Sequence, residues 1–598
     1  MADSPLNNAV DLPSFSILVD GTELNESILV LSIYTYKAVN EIGEASLTIR
    51  DGNPAKGEFP ISENSKLKVG NEITIKFGYQ QKEEVVFKGI ITAQSLKVRS
   101  YEHRMISELI IKCSDKASKL NSIKKTENFK GKTDSDIITT LIANAGLSND
   151  GVDSTSFVYE NLVQYDVTDW EFILARAITN GLFIISNDGS LSVQKPEASG
   201  AEDLTLNYGV NVIDFKAEVS ALNQLAKVEY NSWDASSQKY TTGKGTPIEG
   251  PSIGDFTPKD LADVVKGEGM VVNSSTPEDT TVLKSLSDSE FARSRFSKIR
   301  GEITSFGTPK AKVGGFIKLE GFGSRFNGVT PTSRVIHEFK EGKWTTTIGF
   351  GLNEEIFKKP KNQKLWTSGN MPSIAGLHIG KVKKIESDPL GEYRVQVDIP
   401  TIAETGDGLW ARLSSAYATN EAGVFFYPEV SDEVVVGFLD SDPRFAVVLG
   451  SLHSKANTPP DTPDSKNNLK EIVTKSKLKI SFEDEKKVLT IQTPGGQSVT
   501  LDDDGKSLTL EDENKNKIQL SSNGISINSS KDLNITAKGE MTFSATNKLS
   551  LSSKADLNLE GANVGAKAKI ALKAEGAATT ELKASGTMII KGAMVQIN

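Results

Sequence analysis

Cysteine occurs once in 598 residues, at position 113, so an intrachain disulfide and a cysteine-based zinc site are both excluded. Histidine is scarce too. His103, His337, His378 and His453 are scattered along the chain, and no Ser–His–Asp set can be assembled around them. A basic excess is also missing. The net charge of −10 argues against nucleic acid as a partner, because neutralising phosphate supplies most of that affinity. Two lysine clusters (Lys119, Lys124, Lys125 and Lys381, Lys383, Lys384) are diluted by acids or serines and read as solvated surface. No stretch approaches the ~18 apolar residues of a membrane span. The opening MADSPLNNAVDLPSF has neither a basic start nor an apolar run, so synthesis in the cytoplasm without a signal peptide is expected.

What is present reads as mainly β. Residues 1–120 alternate with period two: Phe15, Ile17 and Val19 precede Asp20-Gly21, Leu47 and Ile49 precede Asp51-Gly52, and Ile73, Ile75 and Phe77 precede Gly78. A barrel or sandwich fits. Residues 121–209 form a helical and mixed insertion. Ile137, Ile138, Leu141 and Ile142 keep helical spacing up to Gly146; Thr168 and Glu171 spell a capping box before Trp170, Ile173, Leu174 and Ala177, and Gly181 closes that helix. Residues 210–360 return to β patterning as a second barrel, with 234–280 expected as a long surface loop and a helix near 284–298. A polar linker covers 361–373. Residues 374–452, with LWARL, VFFYPEV, DEVVVGFLD and FAVVLGSL among their short strands, suit an OB-type barrel. A second linker spans 453–470.

Beyond it the composition changes: after residue 444 there is no Arg, Trp, Tyr or Cys. From residue 525 the tail repeats in eights, ISINSSKD, LNITAKGE, MTFSATNK, LSLSSKAD and LNLEGANV. Apolar residues hold the first and third places: Ile525 and Ile527, Leu533 and Ile535, Met541 and Phe543, Leu549 and Leu551, Leu557 and Leu559. Similar dyads recur less evenly upstream, as at Leu489/Ile491 and Leu508/Leu510. An extended octad spans about 26 Å at roughly 3.3 Å per residue, too short to encircle a core. Three chains wound together bury the dyads on a common axis and satisfy the strand edges; a monomeric β-solenoid is the alternative. TLDDDGKSLTLE comes close to a calcium loop, but Thr500 stands at the first ligand position and β dyads flank it, so a hairpin turn is expected.

The order of these parts matches a family. DPLGEYRVQVDIP, LWARL and FFYPEVSDEVVVGFLDSDPRFAVVLGSL resemble the OB domain of VgrG-type (Rhs/Vgr) spikes of type VI secretion systems and extracellular phage-tail-like particles. VQYDVTDWEFILARAITNG, IRGEITSFG and GFGSRFNG resemble its hub, and the octads its C-terminal needle. The resemblance implies a homotrimer with two tube-like barrel domains per chain forming the hub, an OB collar, and a triple-stranded intertwined β-helix over 471–598. It implies a hexameric inner tube protein, baseplate proteins, a PAAR-type tip protein and effector cargo as partners, with the target membrane met only during injection. No enzyme activity, cofactor or metal is expected. The gap at 453–470 is too short for the lysozyme domain of some phage spikes, and a His-x-His tip site is absent. Rival readings are a trimeric fibre or adhesin, with 234–280 as its recognition loop, and a cell-wall hydrolase.

Overall fold

A computed structural model describes residues 12–25, 27–101, 104–265, 269–274, 276–352, 367, 369–402 and 408–597. His103 and most of the linker at 361–373 lie outside the described residues. The chain divides into two compact units, Met1–Pro459 and Pro460–Asn598.

In the first unit, period-two alternation builds β1 (Pro13–Val19), β2 (Val30–Ala38), β3 (Glu44–Arg50), β4 (Glu72–Tyr79), β5 (Lys82–Tyr101) and β6 (Arg104–Ser114). Ile17 pairs with Ile75 and both are buried, as alternation requires. Cys113 pairs with Ala45 inside this core, where burial pushes its thiol up to about 12. Further along, β7 (Val212–Val219), β11 (Ile299–Phe306), β12 (Gly328–Lys340) and β13 (Lys343–Phe350) surround a second core containing Ile303, Leu319, Val335 and Ile348. The two halves are not separate barrels. One 13-stranded sheet runs β7-β11-β13-β12-β2-β3-β6-β5-β4-β1 with three short strands attached, and β12 pairing with β2 is the join. At that join His337 is fully buried against Phe77 and Trp344 with Nδ1 3.0 Å from Thr346 Oγ1; burial, reinforced by Lys37, lowers its pKa to about 3.

The insertion follows its local signals. Helix α1 (Asp134–Asn144) is capped by Thr133 and Asp136. Helix α2 (Asp169–Thr179) has the expected box, with the Glu171 N–H donating to Thr168 Oγ1 at 3.2 Å and the Thr168 N–H to Glu171 Oε2 at 2.9 Å. Gly181, at φ +67°, supplies the left-handed residue that ends it.

Three expectations fail here. The stretch 234–280 is not one long loop. It contributes β9 (Lys239–Lys244) and β10 (Met270–Ser274), which flank β8 (Val228–Asp234) in a three-stranded sheet packed on α3 (Thr280–Phe296). Gly243, a loop signal in sequence, is what permits it: a Cβ there would stand 2.3 Å from the Leu283 carbonyl carbon. The helix also begins earlier than 284, because Asp279 caps it by accepting from the Thr281 N–H at 2.7 Å. The described end of the linker is not solvated either, since Met371 is buried in the helical core.

The OB barrel closes in the order β14 (His378–Lys384), β15 (Val395–Asp398), β16 (Leu409–Leu413), β18 (Ala446–Ser451), β17 (Glu433–Phe438). VFFYPEV is not one of its strands: only a two-residue strand, Ala422–Gly423, precedes it, and the segment leads irregularly into β17.

The second unit opens as an antiparallel meander of seven strands, β19 (Leu469–Val473), β20 (Lys479–Glu483), β21 (Val488–Gln492), β22 (Ser498–Asp502), β23 (Ser507–Glu511), β24 (Lys517–Ser521) and β25 (Gly524–Asn528), where a β-helix was expected from residue 471. The DDDG segment is a hairpin turn, with the Gly505 N–H donating to Asp502 Oδ1 at 2.7 Å. Among the described residues after Asn528, no strand is paired within the chain.

Candidate assembly surface and its supporting junction

Side chains two apart share a face of a strand, so antiparallel register decides whether apolar dyads line up. In the meander they do. Phe482 pairs with Leu489, Leu489 with Leu501, Leu501 with Leu508, Leu508 with Leu520 and Leu520 with Ile525; beside them run Ile480, Ile491, Val499, Leu510, Ile518 and Ile527. The opposite face is polar, with Ser481, Thr490, Thr500, Thr509 and Gln519 in register.

Of the ten needle-core residues expected from sequence, the structure brings Ile525 and Ile527 into this apolar stripe. The other eight, Leu533, Ile535, Met541, Phe543, Leu549, Leu551, Leu557 and Leu559, have no strand partner in the chain. All ten are exposed, from 44% for Met541 to 72% for Ile525. Covering each such side chain stabilises by about 1.5–3 kcal/mol. A single copy, with these side chains only partly covered, forfeits a large share of that for each of them.

Sequence reasoning missed a second feature, a set of buried arginines between the insertion and the OB barrel. Arg176, on α2, donates to Asp134 Oδ1 at 2.6 Å, to the Tyr159 hydroxyl at 2.7 Å and to Met371 Sδ at 3.1 Å, so the linker end is tied into the helical core. Arg444, preceding β18, donates to Asp442 Oδ2 at 2.7 Å and to both oxygens of Glu278. Arg394, preceding β15, donates to Asp388 Oδ1 at 2.7 Å and to Glu160 Oε2 at 3.1 Å. The two OB arginines thus repeat one design. Each is held by an aspartate of its own domain and reaches a glutamate outside it, Glu160 of the insertion or Glu278 just before α3.

Electrostatics separate the two. Burial pushes the Glu278 carboxyl up against the pull of Arg444, while Asp442 and Glu278 outweigh the burial of Arg444 and keep it cationic. Asp388 is less enclosed. Burial would raise it, but hydrogen bonds from Arg394 and backbone N–H groups hold it at about 2. A charged residue within the apolar stretch of α2 was the legible signal for Arg176; Glu278 sits in a loop with no such mark.

The histidines are dispersed. His337 is buried in the hub, His378 lies 2.8 Å from Thr401 Oγ1, and His453 is exposed. One pentapeptide, Gly250–Gly254, has the Gly-x-Ser-x-Gly spacing, but it is a loop segment and not the strand-to-helix turn that exposes a nucleophile.

Residues 9–341 match the family model described as the Alg8 N-terminal domain, and residues 378–453 that of the type VI secretion system/phage-baseplate injector OB domain. Among solved structures, the half-lidded Francisella PdpA–VgrG complex is similar at 10% identity over 87% of this chain and 89% of that one, with a TM-score of 0.53. Its lidded form is similar at 10% identity over 88% and 81%, with a TM-score of 0.53. An E. coli type VI secretion component, described as structurally similar to the T4 tail proteins gp27 and gp5, gives 13% identity over 73% and 99%, with a TM-score of 0.45. At 10% identity, the likeness to VgrG is one of fold.

Proposed function

Because this chain belongs to the Alg8 N-terminal domain family, carries an injector OB domain and shares its fold with VgrG, we propose that it is the homotrimeric central spike of a contractile injection system. One observation carries the trimer: the dyads of all five octads are exposed, and from the second octad on no strand pairs within the chain among the described residues. Three copies supply both the missing core and the missing strand edges. The spike reading adds that the hub nucleates a hexameric inner tube on the baseplate, and that the tail punctures the target membrane when the sheath contracts. A separate PAAR-type tip protein covers its end, and effector cargo rides with it. The role is mechanical and not catalytic. The buried arginine triads support it, because they tie the OB barrel to the hub as a structure under axial load requires. Among the described residues no helix is long and apolar enough to cross a membrane. Delivery outside the producing cell therefore rests on the machine in this reading.

The mass of the purified full-length chain tests the proposal. Three copies per particle are expected by light scattering, and a single copy would sink it. No observation favours the fibre or adhesin reading: its recognition segment at 234–280 gives two strands, β9 and β10, to a sheet packed on α3, with irregular stretches between them.

A further inference from the structure

The OB barrel carries two apolar patches that its own chain leaves uncovered. The first is built by two loops at one end of the barrel: Leu390 and Tyr393 between β14 and β15, and Tyr417, Val424, Phe425 and Phe426 between β16 and β17. These loops are fixed to each other. The Tyr427 hydroxyl donates to the Tyr393 carbonyl at 2.6 Å, its ring centroid lies 4.9 Å from that of Phe425, and the Val424 N–H donates to the Tyr417 carbonyl at 2.9 Å. Tyr393 and Phe425 are nonetheless each 80% exposed, and Phe426 63%. The second patch comprises Leu377 and Ile379 at the start of β14 and Leu449 on β18, all exposed. Gly437 lies between them: a Cβ there would make ordinary contact, 3.5 Å from Leu377 and 3.6 Å from Leu449. Leu377 and Ile379 stand at the entry to β14, and Leu390 and Tyr393 beyond its exit.

We infer that the two patches are the halves of one head-to-tail contact, in which the Phe425–Phe426 patch of one copy docks on the Leu377–Leu449 patch of the next. The inference rests on the trimeric reading above and names the surfaces that close its collar. Symmetry selects the arrangement. A twofold pair buries one self-complementary patch, whereas a closed ring needs two different patches on every copy. The area is sufficient. A covered aromatic side chain buries about 150–250 Å². The four exposed aromatics of the first patch therefore offer roughly 500 Å², a large part of the ~800 Å² that each partner contributes to a stable interface. Aromatic side chains concentrated in one patch with an aliphatic surface elsewhere match the composition of interface cores.

Cross-linking of the full-length chain tests the contact. Phe426→Cys is combined in one chain with Leu377→Cys, Ile379→Cys or Leu449→Cys, and each variant is treated with a short bismaleimide; Cys113 is buried and does not compete. At least one double variant is expected to give covalent trimers on a denaturing gel, while every single variant stays uncross-linked. A particle of three copies in which no double variant links above the single ones overturns the inference, and so does self-linking of Phe426→Cys alone. The spike reading survives both of those results. A single copy per particle removes that reading instead, so the two failures are told apart.

Discussion

Arg444 shows how much a single side chain decides in this protein. It holds Asp442 and Glu278, both buried, and removing it strands two carboxylates away from water. Breaking a buried ion pair from one side costs about 3–5 kcal/mol. Arg444→Ala is therefore expected to destabilise the first unit by that amount in urea denaturation, and Arg444→Lys to restore little, because a point charge cannot replace a fork between two carboxylates. His337 gives a pH signature. Its folded-state pKa of about 3 lies below its ordinary 6.5, so below 6.5 the unfolded chain takes up a proton that the buried ring refuses. Stability should fall as pH drops from about 6.5 towards 3. His337→Leu should flatten this part of a melting-temperature profile; a profile unchanged by the substitution would refute the assignment.

At the scale of elements, the tail has two kinds of segment built from one pattern. Residues 469–528 satisfy their backbone groups within the chain, whereas the described residues after 528 do not. Hydrogen exchange should separate them when the assembly is dissociated in mild denaturant. Amides of 469–528 should keep partial protection and those of 529–597 should lose it together; uniform loss across both would contradict the division. Gly243 makes the complementary point in the hub. The residue that looked like a loop marker is the one that lets a strand lie against a helix backbone.

For the whole molecule, the decisive quantity is apolar surface that one copy cannot cover. Leu549→Asp with Leu551→Asp puts two charges where three chains are proposed to meet. The double variant should lose trimers, read as a shift to single-copy mass in light scattering, while the circular dichroism of the hub and OB strands persists. Retention of full trimer stability would show that these dyads do not face one another.

Much of this was legible in the residues themselves. Alternation placed the hub strands, Thr168 and Glu171 announced α2, and five short strands marked the OB barrel, because strand faces and helix caps depend on neighbours a few positions apart. The octads likewise told which side chains need covering. Tertiary structure alone decided the partners. The Arg444–Glu278 pair joins residues 166 apart, Met371 leaves a polar linker for a helical core, and β12 pairs with β2 to merge two expected barrels into one sheet. Spacing along a chain determines which way a side chain faces, but its partner is set by what the rest of the fold brings opposite, and that has no local signature.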